Sequence, residues 1–140
     1  MDHLIAVLTA WLVATSGLPT TDALPKVRHQ PSQVLVSLRY GEAAEVQHQD
    51  VAGLYLDETR TIYLEENWDS RNAADVSILV HELVHHLQNV AGLTYDCPGA
   101  REKAAYEAQA RWLTQFDLTL QSTFGVDDLT LKLATACFHP

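Results

Sequence analysis

The five residues His81-Glu82-Leu83-Val84-His85 carry the most legible chemistry in this chain. On a helix, residues i and i+4 lie one turn apart on the same face. Two imidazoles so placed can hold one Zn²⁺, an ion that takes nitrogen, sulfur and oxygen ligands. The glutamate beside the first histidine then stands where it can take a proton from water at the metal. A catalytic zinc keeps three protein ligands and one open position, so a third ligand must come from elsewhere. An extension with glycine at 88 and histidine at 91 would supply it locally. The chain has Gln88 and Ala91 there, which excludes that pattern.

The flanking sequence predicts the helix that the histidine pair requires. Asn72 followed by Asp75 has the spacing of a capping box, and Gly92 stands where helices commonly stop. Between them Val76, Leu79, Val80, Leu83, Val84, Leu87 and Val90 form one apolar stripe. His81 and His85 fall on the far side of it, with Ala74 and Ile78. Both faces therefore favour burial, one against a sheet and the other against a second helix. His86 lies near the edge of the stripe and reads as a boundary residue, not a ligand.

The second helix is expected from Pro98 to Phe116, with Asp96 as N-cap and proline at an early position. Its two glutamates point in opposite directions. Glu102 shares a face with Ala105, Tyr106, Gln109, Leu113 and Phe116, whereas Glu107 lies between Lys103 and Arg111, each at ion-pair spacing. A carboxylate on a buried face is costly unless it meets a charge or a metal. Glu102 is thus the expected third ligand, and Glu107 a solvated residue. Tyr106, one turn past Glu102, is a candidate oxyanion donor.

With these residues in view, His81-Glu82-x-x-His85 followed by Glu102-x-x-Ala105-Tyr106 resembles the gluzincin branch of the zincin metallopeptidases. In that branch a small residue and often an aspartate follow the ligand glutamate. Ala105 matches the first; Tyr106 replaces the second, so another group must orient the histidines. The chain also resembles a small uncharacterised bacterial family assigned as zinc peptidases. That likeness rests on Thr61-Ile62-Tyr63-Leu64, His85-His86-Leu87-Gln88, and Cys97-Pro98 before Ala105-Tyr106, and it spans most of the chain. The resemblance implies one zinc per chain on His81, His85 and Glu102, Glu82 as general base, and a peptide or protein substrate. It also implies that Thr61, Ile62, Tyr63 and Leu64 form a strand that pairs with an extended substrate.

Other segments are read from pattern alone. Val51–Leu56 and Thr61–Leu64 are β-rich runs around Asp57–Arg60, a predicted hairpin. Lys26–Gln30 is a short strand, Ser32–Tyr40 a strand or short helix, and 41–50 a polar loop. Phe124-Gly125 breaks the helical reading after Phe116. Asp127 or Asp128 caps a last helix through Leu129, Leu131, Leu133 and Ala136.

At 140 residues the chain is expected to be one domain, 1–140, short for a peptidase. A net charge of −9, with no basic patch and no phosphate-binding glycine loop, argues against nucleic acid as partner. Residues 1–18 open with an apolar run too short to span a membrane. Met1-Asp2-His3 lacks the positive charge of an export signal. The favoured reading is a packed helix using Leu4, Leu8, Trp11 and Leu12 in a cytoplasmic chain, with a signal segment as the alternative. Cys97 and Cys137 are either a disulfide, which would suit an exported protein, or two buried thiols.

The expectation is therefore an α+β, minimal zincin-like domain. Its H-E-x-x-H helix packs between a small sheet and a second ligand-bearing helix. The activity expected is that of a zinc metallopeptidase. The alternatives are a non-catalytic zinc-binding module and a regulator that cleaves one protein partner.

Overall fold

Apolar alternation and turn chemistry between residues 26 and 65 produce the sheet that backs the site. The computed structural model describes residues 1–41 and 52–138. Within them β1 (Lys26–Gln30), β2 (Gly53–Leu56) and β3 (Thr61–Glu65) form one sheet in the order β1-β3-β2. Strands β2 and β3 are the predicted hairpin, antiparallel, with Tyr55 opposite Ile62. Arg60 closes its turn at a φ of 49°. Strand β1 lies parallel to β3 on the other side, with Val27 beside Ile62. The expected loop over 41–50, apart from Gly41, and Val51 lie outside the described residues.

This topology corrects one expectation. Thr61–Leu64 belong to the central strand, hydrogen-bonded on both sides. They have no free edge to offer a substrate. Thr61, Ile62 and Leu64 are also buried, which makes this run the inner layer of the core.

Six described helices complete an α+β chain: α1 (Asp2–Ser16), α2 (Ser32–Tyr40), α3 (Ala73–Val90), α4 (Pro98–Thr114), α5 (Leu120–Phe124) and α6 (Asp128–Thr135). Helix α3 lies between the sheet and α4. Its stripe from Val76 to Leu87 is buried with Ile62, Leu64, Ala105 and Ala108 in one core. Helix α1 packs on α3 and α4 through Ile5, Leu8 and Leu12. Leu4 and Trp11, expected on the same face, pack half-buried against this core. Trp11 meets Trp112 edge to face, with ring centres 5.4 Å apart.

Several local expectations are revised. Asn72 caps α3 by accepting from the Ala74 and Asp75 amides. Asp75 does not return the bond; it accepts from the Asp69 amide at 2.9 Å instead. The N-cap of α4 is Cys97, whose sulfur accepts from the Ala100 amide, and not Asp96. Ser32–Tyr40 is helical. Helix α5 was not anticipated, although Thr119 and Ser122 form its capping box and Gly125, at φ 70°, ends it. Asp127 caps α6. No described helix is long and apolar enough to cross a membrane.

Candidate metal centre

Helix α3 presents His81 and His85 toward α4, and α4 presents Glu102 back toward them. Nε2 of His81 lies 2.9 Å from one Glu102 carboxylate oxygen, and Nε2 of His85 lies 3.1 Å from the other. The three side chains have ligand atoms within 4.8 Å of one another. Donors sharing one tetrahedral zinc at its usual bond lengths lie about 3.3 Å apart, so the spacing suits an ion of that size. Glu107, as expected, is exposed on the opposite face of α4. Among the described residues, no ion pair within 4.0 Å joins it to Lys103 or Arg111.

The hydrogen-bond network fixes which nitrogen of each histidine carries the proton. Ser77 donates its hydroxyl to the Ala74 carbonyl, so its oxygen accepts the Gln109 amide NH₂ at 3.3 Å. That turns the Gln109 oxygen to His81 Nδ1 at 2.9 Å. Likewise the Gln88 NH₂ donates to the Arg101 carbonyl at 3.0 Å. Its oxygen then accepts both Arg101 Nε–H, at 3.3 Å, and His85 Nδ1–H, at 2.9 Å. A carbonyl only accepts and a guanidinium only donates, so the Gln88 amide cannot be reversed, and the Gln109 amide keeps its orientation while Ser77 donates to Ala74. Both imidazoles therefore carry a proton on Nδ1, and each, when neutral, aims an Nε2 lone pair at the Glu102 carboxylate. Lone pairs facing carboxylate oxygens at these distances require a proton or a cation between them. The donor set thus fits a metal ion by its own chemistry.

Electrostatics follow the same geometry. Burial opposes ionisation of Glu102, but hydrogen bonds from His81 and His85 outweigh it and hold the carboxyl well below its usual range. Burial also opposes the His81 imidazolium. The bond to Glu102 and the charge of Glu82 overcome it and raise the His81 pKa.

His81 and Glu102 border a cleft of about 400 Å³. Glu82, 8% exposed, lines it beside His81 and Glu102. Tyr106 lines it too, its ring 4.7 Å from that of His81 and nearly perpendicular to it. Burial, then the nearby Glu102 charge, raises the Tyr106 pKa and keeps the phenol protonated. Arg39 is the one arginine or lysine among the described residues on the cleft wall. The opposite wall is apolar: Leu120 and Phe124 of α5, Val126, and Ala134 of α6. Gly53 and Ala52 bring the start of β2 to the same cleft, where Thr61–Leu64 of β3 are expected from the sequence.

His86 is not a boundary residue. It is fully buried, with Nδ1 2.9 Å from the Tyr55 hydroxyl and Nε2 2.7 Å from the Ala23 carbonyl. Asn89 donates to the Tyr55 oxygen, so Tyr55 donates to Nδ1 and the His86 proton sits on Nε2. Burial lowers the His86 pKa and keeps it neutral. It is a satisfied core histidine outside the triad.

Residue by residue, the structure brings together His81, Glu82, His85, Glu102 and Tyr106, and it leaves Thr61–Leu64 out. Gln88, Gln109, Arg101 and Arg39 were missed as site residues. A signal for the amides was available: Gln88 follows His85 by three, and Gln109 follows Glu102 by seven, so each shares its ligand's helix face. Cys97 and Cys137 are joined in a disulfide between the start of α4 and the tail after α6.

A family model matches residues 1–140, the whole chain. The chain belongs to DUF6647, a domain of unknown function. No curated protein and no solved structure matches it.

Proposed function

We propose that this DUF6647 chain is a zinc-dependent hydrolase, most directly a metallopeptidase of minimal zincin-like architecture. The observation that carries the reading is the pair of Nε2 atoms converging on the Glu102 carboxylate beside a cleft that also holds Glu82. A zinc ion on His81, His85 and Glu102 would supply Lewis-acid polarisation of a carbonyl and would acidify water in the cleft. Glu82 accepts the proton of the attacking water and hands it to the leaving amine. Tyr106, kept protonated, donates a hydrogen bond to the oxygen on which charge develops. The apolar wall of Leu120, Phe124 and Val126 takes a side chain of the substrate and displaces water from beside the reacting carbonyl.

A non-catalytic zinc module is the competing reading. A structural zinc site is closed by a fourth protein ligand. Here His81 and Glu102 of the three-residue cluster line a cleft, and Glu82 lines it beside them without belonging to the cluster. The test is Glu82→Gln against His81→Ala, assayed on a casein-type protein and on mixed peptides. Glu82→Gln should keep the metal and lose hydrolysis, and His81→Ala should lose both. Full hydrolysis by Glu82→Gln would sink the proposed mechanism. Metal binding without hydrolysis in the wild type would favour the module.

A further inference from the structure

The groups behind the two histidines are neutral amides, where metal-binding histidines commonly lean on a carboxylate, a backbone carbonyl or water. Gln88 and Gln109 are both buried, 1% and 6% exposed, and each is held from behind. Gln109 is tied to Ser77. Gln88 is gripped twice by Arg101, once by its carbonyl and once by its guanidinium. Arg101 is itself fixed by a two-point ion pair to Asp57 in the hairpin turn, at 3.0 and 2.7 Å. It also donates to the His85 carbonyl at 3.4 Å. One residue thus ties β2–β3, the second half of α3 and the first turn of α4 together, directly beside Glu102.

We infer that Gln88 and Gln109 are positioning residues that hold His85 and His81 in the Nδ1–H form, and that their neutrality sets a weaker grip on the metal than carboxylates would. This rests on the metal reading above and deepens it. A carboxylate behind an imidazole draws on the Nδ1 proton and makes Nε2 a stronger donor. An amide oxygen orients the ring without that gain. The amide also spares the site another negative charge near Glu82 and Glu102. Position 109 tests this most cleanly. The Ser77 hydroxyl can turn and donate to a carboxylate there, whereas a carboxylate at 88 would face the Arg101 carbonyl.

The experiment uses the full chain with Zn²⁺ alone as probe, in competition with a chromophoric chelator. Ring-nitrogen NMR of the histidines runs in parallel. In zinc-loaded wild type, His81 and His85 should show a proton on Nδ1 and none on Nε2. His86 should show the reverse and serves as the internal standard. Gln109→Leu should weaken zinc binding about 10- to 100-fold. Gln109→Glu should tighten it and move the His81 Nδ1 proton downfield. A charge acting only through space would leave that proton in place. Should Gln109→Leu fail to fold, Gln109→Glu still decides. Equal weakening in both variants, or unchanged affinity in both, overturns the inference while the metal reading stands. An Nε2-protonated His81 or His85 overturns it outright. A wild type that takes up no zinc overturns the metal reading and this inference together.

Discussion

The backbone of Gly53 lies against the side chain of Glu82. A Cβ added at Gly53 would sit 3.3 Å from Glu82 Cγ and 2.6 Å from Ile78 Cγ2. Strand β2 therefore approaches α3 as closely as it does because residue 53 has no side chain, and this contact sets where Glu82 can stand in the cleft. Gly53→Ala should push β2 and Glu82 apart at a cost of about 1–3 kcal/mol in stability. It should depress hydrolysis far more than zinc binding, because the triad lies on α3 and α4. Thermal melting, zinc titration and turnover on one preparation check this. Loss of zinc with Glu82-dependent turnover intact would contradict it.

On the proposed reading metal and proton compete for one place, which gives the stability a pH signature. The raised His81 pKa contributes stability that is fully present below its ordinary 6.5 and is lost as pH rises through the folded value. The lowered Glu102 pKa contributes stability that is present above its ordinary 4.5 and is lost as pH falls through the folded value. The metal-free triad thus supports the fold best between those two values. Zinc needs the unprotonated histidines and gains as pH rises. Melting temperatures with zinc and with chelator should converge near about pH 5 and diverge toward about pH 8. A gap that stays constant across that range would contradict the shared site.

Much of this site was legible because helical periodicity is local. His81, His85 and the stripe of α3 are read from spacing alone. Glu102 was separated from Glu107 by which face each shares with Ala105 and Leu113. The hairpin followed from two β-rich runs around Asp57–Arg60. What could not be read depended on pairing across long separations. The parallel pairing of β1 with β3 makes Thr61–Leu64 central, and nothing within the strand announces that neighbour. Tyr55 and Ala23 make His86 a core residue from 31 and 63 positions away. The N-cap of α4 is Cys97 and not Asp96, and its sulfur is bonded to a partner 40 residues on that spacing does not reveal. Helix α5 is a single capped turn and a half, too short for periodicity to register.

The Cys97–Cys137 disulfide should hold the outer wall of the cleft. Helix α6 buries no residue, and Leu129 and Leu133 stand 67% and 57% exposed. A helix of eight residues does not persist alone. Its tail meets α4 where Gly99 leaves room for the Ala136 carbonyl. Loop closure over 40 residues is worth about 3–4 kcal/mol at most. Treatment with a dithiol, which takes up the disulfide as its own oxidised form and leaves two thiols on the chain, should abolish amide protection over 128–135. Protection in α3 should survive. Protection of α6 that persists after reduction would show that packing alone holds the wall.

Glu102→Ala should weaken zinc binding by orders of magnitude, since two histidines alone hold the ion poorly. Glu107→Ala should change neither zinc affinity nor, by more than about 1 kcal/mol, stability. The two variants are compared in one chelator competition. Release of the metal by Glu107→Ala, with Glu102→Ala still loaded, would reverse the roles of the two glutamates.

The central claim is that His81, His85 and Glu102 form a metal site, and elemental analysis of the purified, dialysed protein tests it most directly. Prepared without chelator, the wild type should carry one zinc per chain, and His81→Ala should carry almost none while remaining folded. A well-folded wild type holding less than about a tenth of an equivalent after incubation with Zn²⁺ would contradict the account.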